Sequence, residues 1–184
     1  VCERLLDTEE IPQLEKDEIV FKSLTVNEDN TIYTKVPNSQ EVFNFVDEIK
    51  VSGKATYVVS LDAYGAQQIP TKKVPLTVGE NTIYIIEIIG DNTTTYSVTI
   101  HRRAVYSVTF ITYCDMTVSS QKVEEDSFAN KPEDLEKLGY TFEGWDYDFT
   151  KAIVKNTTIK ALWSANTDTT YKVVYYFEGN YQIL

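Results

Sequence analysis

Cysteine, histidine and methionine are almost missing from this chain of 184 residues, which holds two, one and one of them. Two cysteines, Cys2 and Cys114, exclude a disulfide-rich scaffold. With His101 as the only histidine they fall short of a structural zinc set. A Ser-His-Asp or Cys-His centre would have to use His101, which lies on the Ser97-Thr99 face beside Arg102-Arg103 at a domain end and reads as a surface or interface side chain. Basic residues are also scarce, with 17 Lys and Arg against 28 Asp and Glu and a formal charge of −11. The deficit is spread evenly: residues 1–104 carry 10 basic and 16 acidic side chains, and residues 105–184 carry 7 and 12. Neither half offers the basic surface that phosphate backbones require, so nucleic acid is not an expected partner. No apolar run is long enough to cross a bilayer as a helix, and membrane insertion by this segment is not expected. Glycine-rich phosphate loops are absent as well.

What is present is β-forming. Thirteen tyrosines accompany abundant Thr, Val and Ile, which suit a pleated, half-buried surface. Residues 1–18 are charged, carry Pro12 and read as an N-terminal arm. From Ile19 the candidate strands are 19–26, 31–36, 41–46, 55–62, 74–78, 81–89 and 95–102, separated by turn formers such as Ser52-Gly53, Gly79 and Gly90-Asp91-Asn92. Ala55, Tyr57, Val59 and Leu61 share one face, as do Tyr96, Val98 and Ile100, the period of a sheet with one buried side. "IYIIEII" is apolar on both faces apart from Glu87 and reads as a central strand. Such short, regularly spaced strands predict an immunoglobulin-like β-sandwich over 19–103.

Residues 104–164 differ. A hairpin (105–113 and 116–125) precedes "NKPEDLEKLG" (130–139). There Asn130 suits an N-cap, Pro132 the first turn and Gly139 a stop, with Leu135 and Leu138 three apart. A short helix is expected, followed by strands "YTFEGW" and "TTIKALW", giving a small α+β module. Residues 164–170 are polar and linker-like, and 165–184 read as linker plus the start of a further module. The opening Val1-Cys2 and the closing "YQIL" are expected to be cuts from a longer polypeptide. The five residues "HRRAV" lack glycine and proline, so a close, stiff seam is expected there.

Two resemblances carry further implications. Leu76, Gly79, Asn81, Ile83, Ile85, the Gly90-Asp91 turn, Tyr96, Val98, Ile100 and Arg102 resemble the C-terminal half of bacterial cadherin-like β-sandwich domains. Gly139, Tyr140, Phe142, Gly144 and Trp145, followed by Ala161 and Trp163, resemble the Listeria–Bacteroides (internalin B-type) repeat. Val108, Phe110, Val123, Phe149, Ile153, Thr157 and Thr158 fit the same pattern. The second resemblance implies a β-grasp-like module repeated along bacterial surface proteins. "TYCDM" and "EEDSF" stand where that family carries glycine-rich turns.

Function is read as non-catalytic, with no catalytic, metal or cofactor residue and no cofactor. The acidic groups Asp7/Glu9/Glu10, Asp17/Glu18, Asp47/Glu48, Glu124/Glu125/Asp126 and Asp146/Asp148 read as solvated turns rather than a glycosidase pair. "NEDN" (27–30), "GDN" (90–92) and "DYD" (146–148) offer oxygens to calcium, a question left open together with a Cys2–Cys114 bridge. The expected role is an extracellular stalk or adhesion spacer that presents neighbouring domains of the same polypeptide. The alternative is a module binding a glycan or a host or matrix protein through exposed aromatics, for which Tyr33, Tyr64, Tyr147 and Tyr176 are the candidates.

Overall fold

The computed structural model describes residues 16–168, 170, 173–177 and 180–183, and for 174–177 and 180–183 the backbone alone. The fold is mainly β and divides into two compact units, residues 1–104 and 105–184.

The first unit contains β1 (Glu18–Phe21), β2 (Thr31–Val36), β3 (Val42–Asn44), a helical turn (Phe45–Glu48), β4 (Ile49–Ser52), β5 (Thr56–Ser60), β6 (Lys73–Pro75), β7 (Gly79–Ile89) and β8 (Asn92–Arg102). Four strands form a sheet in the order β2-β8-β7-β5, while β1 pairs with β4 and β3 with β6. Alternate residues of all three layers meet in one core: Ile19, Ile32, Val36, Phe43, Ile49, Val59, Val74, Ile83, Ile85, Val98 and Ile100, with Phe45 at its centre. This is a β-sandwich-type arrangement. β2 runs parallel to β8 (Ile32 opposite Val98), and the other pairs are antiparallel. The long hairpin of β7 and β8 closes between Ile89 and Asn92. Its turn holds Gly90 at φ 58°, where an L side chain would be strained.

Some expectations are corrected here. Phe45 was expected on a strand spanning 41–46, but the chain leaves β3 at Asn44, whose side chain accepts the Val46 N–H and starts a helical turn. Leu61 lies beyond the end of β5 and is exposed rather than sharing the face of Val59. The strand Ile49–Ser52 was not foreseen; its four residues are too short to show a period. Glu87 lies on the core side of central β7 and is buried.

The second unit contains β9 (Val105–Ile111), a 3-10 turn (Tyr113–Asp115), β10 (Thr117–Glu124), β11 (Tyr140–Trp145) and β12 (Thr157–Ala165), in the sheet order β10-β9-β12-β11. β9 and β12 are parallel and adjacent, with Val108 opposite Thr157 and Ile111 opposite Lys160. A separate hairpin joins β13 (Val174–Phe177) to β14 (Asn180–Ile183). The core gathers Val108, Phe110, Val123, Ala129, Trp145, Ile153 and Ile159.

The helix expected over 130–139 is not formed. Asn130 does not cap; its N–H donates to Gln121 Oε1 (3.1 Å) and its carbonyl accepts from Gln121 Nε2 (2.9 Å). Just upstream, Asp126 N–H donates to Ile153 O and Ile153 N–H to Ser127 O, tying the chain to Ile153 as it leaves a turn in which Asp126 has φ 64°. Leu135 packs on the core while Leu138 is 97% exposed, so the pair never shares an anchored face. Two turns of helix with a single apolar anchor do not repay nucleation.

Candidate functional site

In the first unit the buried carboxylates serve the fold. Glu48 accepts from Ser23 N–H (2.7 Å), Ser23 Oγ (2.6 Å) and Leu24 N–H (3.0 Å), holding the chain that leaves β1. Glu87 accepts from Ile19 N–H and from the Tyr96 hydroxyl. Burial and the neighbouring Glu87 carboxylate push the Tyr96 phenol up, because both disfavour a phenolate.

Of the four tyrosines singled out from the sequence, Tyr33 and Tyr64 lie in the first unit and Tyr147 and Tyr176 in the second. Tyr33 is on β2 and 52% exposed. Tyr64 is 94% exposed on a loop after β5. That loop is organised by Asp62, whose carboxylate accepts from the N–H groups of Tyr64, Ala66 and Gln67. Burial pulls the Asp62 carboxyl upward, but those donors and the Ser60 hydroxyl outweigh it and leave it below the ordinary range. Tyr147 is half-buried, packs edge-on against Phe149 at 5.5 Å and donates to Lys151 O. The side chain of Tyr176 lies outside the described residues, as does Cys2, whereas Cys114 is exposed.

Aromatic rings dominate the second unit. A continuous row runs Tyr147, Phe149, Phe110, Trp145, Phe142, Trp163, with successive ring centres 5.5, 6.3, 5.1, 5.5 and 5.2 Å apart. Most of these contacts are edge-to-face, the arrangement that ring quadrupoles favour. The Nε1 atoms of Trp145 and Trp163 are buried without a hydrogen-bond partner. At the open end of the row stands Lys137. Its ammonium lies 3.5 Å from the centre of Tyr140, 4.0 Å from Tyr113 and 5.8 Å from Trp163. β11 supplies Tyr140, β12 supplies Trp163 and the 3-10 turn after β9 supplies Tyr113. Tyr113 and Tyr140 are 49% and 41% exposed. An open cleft of about 470 Å³ adjoins them, lined by Leu135, Glu136, Lys137, Leu138 and Tyr140. Sequence reasoning counted Tyr140 and Trp163 as motif residues and read Lys137 as part of a helix, so this convergence was missed. The available signal was the pairing of a lysine with an aromatic three residues on, across a glycine.

Among the described residues no three His, Cys, Asp or Glu side chains converge as a metal site would. Asp29 Oδ1 is engaged by Thr31, and Asp148 Oδ1 by Thr150. No helix among the described residues is long and apolar enough to cross a membrane.

Phe142, Trp145 and Trp163 of the aromatic row belong to the Gly-Tyr-x-Phe-x-Gly-Trp and Ala-x-Trp motifs. Residues 106–174 match the Listeria-Bacteroides repeat domain. This repeat occurs in bacterial surface proteins and is not a known enzyme family. In the repeat, Phe142, Trp145 and Trp163 therefore have packing work visible in the row above, and Tyr140 with Lys137 finishes its open end. No curated relative matches the chain.

Proposed function

We propose that the chain is a non-catalytic, load-bearing spacer of a bacterial surface or secreted protein, presenting neighbouring modules of the same polypeptide outside the cell. The observation that carries this reading is the topology of the repeat. There β9 enters and β12 leaves, and the two are hydrogen-bonded side by side and parallel. Tension along the polypeptide pulls such strands past each other, so their hydrogen bonds are loaded together rather than one after another. In the sandwich the closing strand β8 is also parallel to a neighbour, β2, but the chain enters through β1, which pairs with β4. The resemblance of 19–103 to cadherin-like sandwiches and the grasp-like character of the repeat belong to the same proposal. Its test is stretching of single molecules: high-force, all-or-none unfolding of the repeat supports it, and gradual extension at low force counts against it.

A second reading is favoured by one observation. Tyr64, 94% exposed, is held out on a loop braced by Asp62, and Tyr33 also faces solvent. On this reading the sandwich binds a glycan or a host or matrix protein. A glycan and matrix-protein array probed with the chain separates the two: binding lost in Tyr33→Ala or Tyr64→Ala favours recognition, and silence favours the spacer.

A further inference from the structure

We propose that the Tyr113, Tyr140 and Trp163 rings form a cation site that Lys137 closes from within, and that a quaternary ammonium group takes the place of Lys137. This goes beyond the spacer reading and does not rest on it. Attraction between a cation and an aromatic face comes from the ring quadrupole and does not require the cation to belong to the same chain. Three rings converging on one point within 6 Å is the arrangement that receives alkylammonium groups. Lys137 lies outside the helices and ladders; its backbone carbonyl accepts the Tyr140 N–H, and its ammonium rests against the rings. Removing its side chain therefore breaks no sheet.

The surroundings favour a positive, partly apolar guest. Leu138, 97% exposed, stands beside the cleft as an apolar lip. Glu136 lines the same cleft and Asp134 lies nearby in the segment. The unit as a whole is acidic, with 12 acidic against 7 basic side chains. A quaternary ammonium is larger and more weakly hydrated than the lysine head, so it gives up less water on entering an aromatic site. An anion would meet carboxylates and ring faces, both of the wrong sign.

The experiment titrates the full chain and its Lys137→Ala variant with choline chloride, with sodium chloride as control, following tryptophan fluorescence. A parallel arm measures co-sedimentation with phosphatidylcholine vesicles. The expected result is saturable binding that is about 5- to 30-fold tighter in Lys137→Ala and is lost when Tyr140→Leu is added. Response to choline alone assigns a soluble cation; capture by vesicles assigns a lipid headgroup. The unmodified chain gives a second readout independent of how the variant folds: choline should speed acylation of the Lys137 amine relative to exposed Lys155. Absence of saturable binding in both arms, with no change in Lys137 acylation, overturns the proposal. So does binding that survives Tyr140→Leu.

Discussion

Glu87 on β7 accepts the backbone N–H of Ile19 on β1 at 2.8 Å, tying the central strand of the four-stranded sheet to the β1–β4 ladder. The second oxygen of the same carboxylate takes the Tyr96 hydroxyl at 3.1 Å. Replacing Glu87 with Ala strands a buried N–H and a half-buried phenol. The expected loss is about 1–3 kcal/mol in urea unfolding, with faster hydrogen exchange at Ile19. Glu87→Gln keeps an acceptor and should lose less. Equal losses in the two variants would show that the site matters through volume rather than through hydrogen bonds.

Phe110 is 1% exposed and touches both Trp145 and Phe149. Phe110→Ala opens a cavity in the middle of the aromatic row and should cost the second unit about 3–5 kcal/mol. Chemical denaturation followed by tryptophan fluorescence measures it, since both tryptophans, Trp145 and Trp163, lie in this unit. Tyr33→Ala, on a solvent-facing side chain, should change stability by about 0.5 kcal/mol or less.

Asp62 gives a pH dependence. Its folded pKa is lowered, so its stabilisation of the loop is fully present above the unfolded value near pH 4 and is lost as pH falls through the folded one. Amide exchange at Tyr64, Ala66 and Gln67 should stay slow at neutral pH and quicken below about pH 4, after correction for intrinsic rates. In Asp62→Ala it should be fast throughout. A loop that stays protected in the variant would show that the carboxylate is not its organiser.

The strands were legible because one buried face imposes a period of two, clear in Tyr57 and Val59 and again in Val98 and Ile100. The mainly β class followed from that. The false helix over 130–139 had every local sign of one, including Asn130, Pro132 and Gly139. Those signs describe what a segment tolerates; the Gln121 side chain and the backbone of Ile153 decided what it does. Such partners are distant in sequence and leave no periodic trace. The Lys137 site was hidden for the same reason, because Tyr113, the Lys137–Tyr140 pair and Trp163 come from three separate segments. Glu87 read as the polar exception of a central strand, and only the position of Ile19 turned it into a cross-layer tie.

The central claim is that the chain bears load, and stretching the repeat in two directions tests it most directly. Attachment at residues 105 and 165 loads the parallel β9–β12 ladder in shear. Attachment at residues 105 and 124, which are paired at the open end of the β9–β10 hairpin, unzips that ladder one hydrogen bond at a time. The account predicts a clearly higher unfolding force for the first geometry than for the second at the same pulling speed. Equal forces in the two directions, or a lower force for the 105–165 pair, would contradict it.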